Sequence, residues 1–237
     1  MPLFCPMKNF IDYDIWVPQG TDKPGVMIIL DPGHGGLYNG KYTTAPAKMC
    51  DHGDFVFFEG VFNREMVIKI ANQFKKNNIA HAFTTISNLD ESLDARGVKV
   101  GNIKSSYHKY NHLVMSIHAN AGPPQAHGTE FWTTKELNDS DLAANFFFPY
   151  LQETGFKLRI NREKENEYDK EESWKILRLS EKKGCMAILW EMGFFTNREE
   201  AITMLTTEWQ DKVALSLLKG TQDLIKQIQT YGTIKKN

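Results

Sequence analysis

Three apolar runs in the sequence each lead into a side chain that can bind a metal or move a proton. They are His34 in "IILDPGHGG" (28–36), His118 in "HLVMSIHAN" (112–120) and Glu191 in "CMAILWEMGFF" (185–195). A histidine after a strand is by default a hydrogen-bonded structural residue, and His52, His81, His108, His112 and His127 take that reading. His34 differs because neighbouring glycines leave the backbone free and its imidazole uncrowded. His118 differs because it lies between Ile117 and Ala119, where a polar ring needs a partner. Two neutral imidazoles and one carboxylate are a ligand set of catalytic zinc sites, with a fourth position open for water. Glu59, which follows "DFVFF" at the mouth of a helix, is the leading carboxylate; Asp31, Asp51 and Asp54 compete with it. The plain alternative for Glu59 is an acid stabilised near a helix N-terminus.

Glu191 sits inside an apolar run, where an ionised carboxylate is expensive unless paired, coordinated or catalytic. Arg96 or Arg178 would balance it in a purely structural role. Beside a metal-activated water it would take a proton and pass it to a leaving amine. The sequence has no H-E-x-x-H pair, so a helix-borne metalloprotease site is excluded, and "GHGG" lacks the G-x-G-x-x-G spacing of a dinucleotide site.

The elements that must position these residues are legible as alternating patterns. "VMIILD" (26–31) reads as a buried strand, and residues 35–58 as a long loop of turn residues and aromatics. "FNREMVIKIANQFKKNN" places Met66, Val67, Ile70 and Phe74 on one helical face. "IAHAFTT" reads as a strand, and about 91–105 as a helix with Leu93, Val100 and Ile103 inward. "GTEFWTT" alternates as a strand with one face partly wet. Residues 140–153 are helical with a break at Pro149, and Asn197 with Glu200 resembles a capping box. A last helix, about 208–229, turns Val213, Leu217, Leu224 and Ile228 inward. Strands alternating with helices predict a single α/β domain, a mostly parallel twisted sheet with helices on both faces. Ligands of such sheets gather at the carboxyl ends of the strands, where the three runs would meet.

At 237 residues, 41% hydrophobic and 24% charged, the chain can bury a sizeable core. Its formal charge of -1 excludes a broad phosphate-binding surface, so no nucleic-acid partner is expected. Three widely spaced cysteines, Cys5, Cys50 and Cys185, exclude a disulfide framework and a cysteine-rich zinc site. No basic start with a long apolar core opens the chain, and no window reaches the roughly 18 apolar residues of a membrane helix. Residues 1–24 are expected to form an irregular leader, 25–230 the catalytic domain and 231–237 a tail.

Together, "ILDPGHGG", "EGVFN", "SIHANA" and "ILWEMGFFTN", in that order, resemble the zinc-dependent N-acetylmuramoyl-L-alanine amidases of the amidase type 3 group. "SLDAR", "GTEFW", "LAANFF" and "ILR" support the likeness, which covers about residues 26–226. It implies one zinc ion on His34, Glu59 and His118, with Glu191 as the catalytic acid and base. The implied reaction is hydrolysis of the amide between the lactyl group of N-acetylmuramic acid and L-alanine in bacterial peptidoglycan. Asn120, His127 and Arg162 are the candidates for touching substrate. The alternatives are a catalytically silent wall-binding domain and another zinc peptidase acting on stem peptides. The family's usual Thr-Arg pair after the second strand is replaced by Thr85-Ile86. Between Glu130 and Leu177 there is little room for the occluding helix of some relatives, so a constitutively open enzyme is expected; a monomer is expected as well. Lacking a visible signal or wall-binding repeats, the sequence looks like a phage endolysin, made in the cytoplasm and released to the wall or periplasm through a separate pore; a host enzyme exported by another route would look the same.

Overall fold

A computed structural model describes residues 15–19, 25–44, 48–135, 137–160, 169–232 and 234. In chain order the first elements are β1 (Ile15–Trp16), β2 (Val26–Pro32), β3 (Leu37–Tyr38), β4 (Lys41–Tyr42), β5 (Met49–Asp51), β6 (Val56–Phe58) and α1 (Glu59–Lys76). Next come β7 (His81–Phe83), α2 (Leu93–Ser106), β8 (Asn111–Asn120), β9 (Glu130–Thr133), α3 (Asp139–Asn145) and α4 (Phe148–Leu151). The chain then forms β10 (Lys170–Glu171), α5 (Lys175–Lys182), β11 (Met186–Phe194), α6 (Arg198–Met204) and α7 (Thr207–Tyr231).

Seven strands form one sheet in the order β1-β7-β2-β8-β11-β9-β10. β7, β2, β8 and β11 run parallel, while β1 on β7 and β9 on β11 are antiparallel. The side-chain period of two sorts each central strand between two cores. Val26, Ile28 and Leu30 pack with α1 and α7, whereas Met27 and Ile29 pack with α2 and α5. The expected helical faces of α1 and α7 are buried: Met66, Val67, Ile70 and Phe74 on one, Val213, Leu217, Leu224 and Ile228 on the other. The mostly parallel α/β architecture read from the pattern is the one observed.

Four local expectations need correction. The stretch 35–58 contains two small hairpins, β3-β4 and β5-β6. The first turns on Asn39-Gly40, both at positive φ, a pair whose conformational preference matches a two-residue hairpin. Leu93 is 39% exposed, because as the first residue of α2 it stands at the rim of the sheet rather than over its face. Asn197 caps α6 by accepting from the Glu199 and Glu200 amides, but Glu200 does not reciprocate. Its carboxylate accepts instead from the Gly128 and Phe194 amides, tying the approach to β9 to the end of β11. The reciprocal box lies at Asn138 and Asp141, where α3 begins. Within the leader, Ile15–Trp16 pairs with the sheet edge; residues 1–14, 20–24 and the tail positions 233 and 235–237 lie outside the described residues.

The end of β2 is held by a buried ion pair. Arg96 of α2 donates from Nη1 to Asp31 Oδ1 at 2.8 Å and to the Pro32 carbonyl, and from Nη2 to the His34 carbonyl at 2.9 Å. Both side chains are 1% exposed. Ser116 on β8 donates to Asp31 Oδ2 at 2.5 Å, and Thr84 donates to Oδ1. Burial pushes the Asp31 carboxyl up, but Arg96 and the two hydroxyls outweigh it and hold the pKa below its ordinary 3.8.

A lowered folded-state pKa gives stability that is present above pH 3.8 and drains away as pH falls toward the folded value. Urea midpoints measured across that window should fall for the wild type, and Asp31→Asn should lack this component of the fall. Arg96→Met leaves the carboxylate buried and unpaired, and should lose about 3–5 kcal/mol of unfolding free energy at neutral pH.

Candidate metal centre and its acid

His34 follows β2 with φ of 60°, a left-handed conformation that a non-glycine residue adopts only where its surroundings impose it. The surroundings here are Arg96 on its carbonyl and three neighbouring glycines. Their role is space rather than backbone freedom, since none of Gly33, Gly35 and Gly36 has a positive φ. A Cβ on Gly33 would lie 2.3 Å from the His118 ring, and one on Gly35 would lie 2.1 Å from Thr43 Oγ1.

Glu59 is the first residue of α1 and is 1% exposed. The helix begins three residues earlier than its apolar period suggests, which sets the carboxylate at the favourable N-terminal end of the helix dipole. The next amide, Gly60 N, donates to Tyr42 Oη at 3.0 Å. Gly60 is pressed so close to the 33–36 turn that its Cβ would lie 1.8 Å from the Gly35 carbonyl oxygen. Asn63, one helical turn on, donates from Nδ2 to the Gly33 carbonyl at 3.1 Å. The turn and the helix start are therefore one unit.

His118 lies on β8, paired across the sheet with Glu191 on β11. His118 Nδ1 is 3.0 Å and His34 Nε2 3.3 Å from the same atom, Glu59 Oε1. One ligand-capable atom from each of His34, Glu59 and His118 lies within 4.8 Å of the others, and this is the one such trio among the described residues. The rings stand edge to face, centroids 5.0 Å apart. The trio fits a metal: His34 Nε2 and Glu59 Oε2 are buried without hydrogen-bond partners. Burial also lowers the His34 pKa against the pull of Glu59, favouring the neutral ring that a metal requires. For Glu59, burial raises the pKa, but His118 and His34 overcome it and hold the carboxyl well below its ordinary value.

The rival carboxylates are elsewhere. Asp31 is consumed by Arg96, Asp51 accepts from the Gly53 amide, and Asp54 is gripped by both Nη atoms of Arg198 at 2.7 and 2.9 Å. The structural partners imagined for Glu191 are also engaged elsewhere, Arg96 at Asp31 and Arg178 at the Ser173 carbonyl. Glu191 is 5% exposed and its Oε2 has no hydrogen-bond partner. Burial first, then the negative charges of Glu59 and Glu130, push its pKa well above the ordinary 4.5. Just beyond it the pairing of β11 with β8 slips, as at a bulge.

The centre opens into a cleft of about 370 Å3 between the starts of α2 and α5, walled by Lys48, Leu93, Trp174 and Leu189. A larger cleft of about 630 Å3 lies at the opposite end of the sheet, beside Asn111 and Cys185. No trio of metal-binding side chains gathers there among the described residues. The helices between Glu130 and Leu177, α3 and α4, pack on β11 and α7.

Of the substrate candidates, Asn120 is half-buried at the end of β8 and donates to Glu130 Oε1 at 2.8 Å. His127 is exposed, its Nδ1 3.0 Å from the Gln125 carbonyl, and Arg162 lies outside the described residues. His52 and His81 have backbone carbonyl partners, as their structural reading expected. Sequence reasoning missed Lys48, Glu130, Arg159 and Lys170. Glu130 follows "GT" at a strand start, and the Glu191 argument applied there would have found a second acid among apolar and aromatic neighbours. Where the family's arginine after the second strand is absent, Arg64 of α1 reaches that corner and donates to the Ser87 carbonyl at 2.8 and 3.0 Å.

A profile of the N-acetylmuramoyl-L-alanine amidases matches residues 28–223. The germination-specific N-acetylmuramoyl-L-alanine amidase of Bacillus subtilis (strain 168) is 26% identical over 228 residues, 92% of this chain and 87% of that protein. The amidase of Clostridium difficile 630 superposes with a TM-score of 0.68 at 23% identity, covering 86% of this chain and 98% of that one. The catalytic domain of CwlV, from Bacillus (Paenibacillus) polymyxa var. colistinus, does so with a TM-score of 0.66 at 21% identity, covering 84% and 98%. With the family profile spanning most of its length, the chain belongs to the N-acetylmuramoyl-L-alanine amidase family.

Proposed function

We propose that the chain hydrolyses the amide between N-acetylmuramic acid and L-alanine at the centre made by His34, Glu59, His118 and Glu191, with zinc as the metal. Family membership supports the reaction. The observation that carries the site is the convergence of three ligand atoms within 4.8 Å, one strand from a buried carboxylate with an unpaired oxygen.

His34, Glu59 and His118 would hold the zinc. When bound, zinc supplies polarisation of the scissile carbonyl and lowers the pKa of water to about 7. Glu191 would accept the proton of the attacking water and deliver it to the departing nitrogen of L-alanine. A carboxyl whose pKa is raised toward the working pH suits both halves of that transfer. Arg96 fixes the His34 backbone, and the turn under Gly33 keeps the His118 ring in place. The substrate is peptidoglycan, and among the described residues no helix is long and apolar enough to cross a membrane.

Peptidoglycan digested with the zinc-loaded protein should expose new N-terminal L-alanine, stop doing so with a chelator, and resume on adding zinc. Glu191→Gln should keep zinc at one per chain while turnover drops about 10²- to 10⁴-fold; Glu59→Gln should lose the metal itself. Release of stem C-terminal residues instead would favour a carboxypeptidase, and zinc binding without any product would favour the silent domain.

Because the ionised form of Glu191 is the base in this reading, kcat/KM should fall on acidification as Glu191 takes up a proton, and burial displaces that limb upward. Arg96→Lys retains the charge but not the fork on Asp31 and the His34 carbonyl. Zinc affinity, read by chelator competition, should weaken about 10- to 100-fold.

A further inference from the structure

Three neighbouring strands carry one row of site residues: His118 on β8 pairs with Glu191 on β11, which pairs with Glu130 on β9. Glu130 is 3% exposed and its charge is fully met. Oε1 accepts from Asn120 Nδ2 at 2.8 Å and Trp132 Nε1 at 3.2 Å; Oε2 accepts from Arg159 Nε and Lys170 Nζ, each at 2.6 Å. The Arg159 guanidinium also lies 4.9 Å over the Phe194 ring, and the Lys170 ammonium 5.2 Å from the Trp132 ring.

Two cations on one carboxylate leave these three side chains with a surplus positive charge. The anion is buried, while Arg159 and Lys170 keep 36% and 25% of their side chains open to solvent. Each retains N–H donors beyond those given to Glu130, since guanidinium carries five and ammonium three. Aromatic faces and a buried counter-ion hold the two heads in place, which reduces the entropy lost when they bind an anion.

We propose that Arg159 and Lys170, braced by Glu130, form a carboxylate-binding subsite for the stem peptide, specific for the free α-carboxylate of a γ-linked glutamate following L-alanine. Lying one strand beyond Glu191, the subsite is reached by the part of the substrate just past the scissile amide. Adjacent strands are about 4.8 Å apart, and one to two residues of extended peptide span about 3.5–7 Å. With the stem running from Glu191 toward β9, the second stem residue would fall beside Glu130. The subsite rests on the amidase reading and divides stems with a free carboxylate from those in which that group is an amide.

The test compares N-acetylmuramoyl-L-alanyl-D-glutamate with its D-isoglutamine counterpart, the γ-carboxyl of each capped as the N-methylamide so that only the α-group differs, as substrates for the zinc-loaded protein. In parallel, calorimetry measures binding of the two corresponding γ-capped dipeptides that begin with L-alanine. The acid form is expected to win by at least about tenfold in both kcat/KM and Kd, the least that a charged hydrogen bond delivers. Lys170→Gln and Arg159→Gln should each move the acid-to-amide ratio toward one. Equal handling of the two forms by the wild type, or a preference that survives both substitutions, overturns the subsite. The wild-type comparison needs no folded variant. Discrimination between the dipeptides without cleavage of either substrate would support the subsite while removing the amidase reading.

Discussion

The buried pair of Asp31 and Arg96 is the constraint on which the rest of the site depends. Asp31 is the last charged residue of β2, and its carboxylate is spanned by a hydroxyl from β7's end, a hydroxyl from β8 and the guanidinium from α2. Four elements are therefore locked in register at one point, immediately before the chain leaves the sheet. A guanidinium can do this because its fork serves several acceptors at fixed angles. Arg96 uses that fork on Asp31, the Pro32 carbonyl and the His34 carbonyl. A buried ion pair is weak evidence of net stabilisation by itself. Its value here is geometric, since it keeps His34 in a backbone conformation that the free chain would leave.

The turn it supports is built by subtraction. Gly33, Gly35 and Gly60 are places where a Cβ would collide with the His118 ring, Thr43 or the Gly35 carbonyl. The strained residue is the histidine itself. Sequence reading correctly tied the glycines to an accessible imidazole, but attributed to them a backbone freedom that they do not use. Close approach between residues 33 and 118, or 35 and 60, depends on which strands are neighbours. That is fixed by the sheet order and not by local composition.

The strand-helix alternation was legible because burial on both faces of a parallel sheet writes long apolar runs, and His34, His118 and Glu191 interrupt or end such runs. Glu59 was recognisable only as one acid among several, because what distinguishes it is the end of α1 meeting the turn of β2. The Asn39-Gly40 hairpin was present in the sequence as a known two-residue signal but was submerged in a stretch otherwise rich in turn residues. Arg96 was noticed only as one of two possible counter-ions for a structural Glu191, whereas it holds Asp31. The choice between Asp31 and Glu191 turns on which strand lies under the start of α2, information carried by residues far apart in the chain.

Three carboxylates, Glu59, Glu191 and Glu130, are all nearly excluded from water, and the chain treats each differently. Glu59 is surrounded by two imidazoles that are poor permanent counter-ions, since one is itself driven toward neutrality by burial. Glu130 accepts from two cations and two neutral donors. Glu191 lies between them with one oxygen unpaired and two like charges nearby. Environments that push neighbouring acids in opposite directions divide the labour among otherwise identical groups. A single carboxylate with no permanent counter-ion can alternate between charged and neutral forms at low cost, provided that its neighbours cannot. Raised where Glu59 is lowered, Glu191 is the group we propose to move the proton.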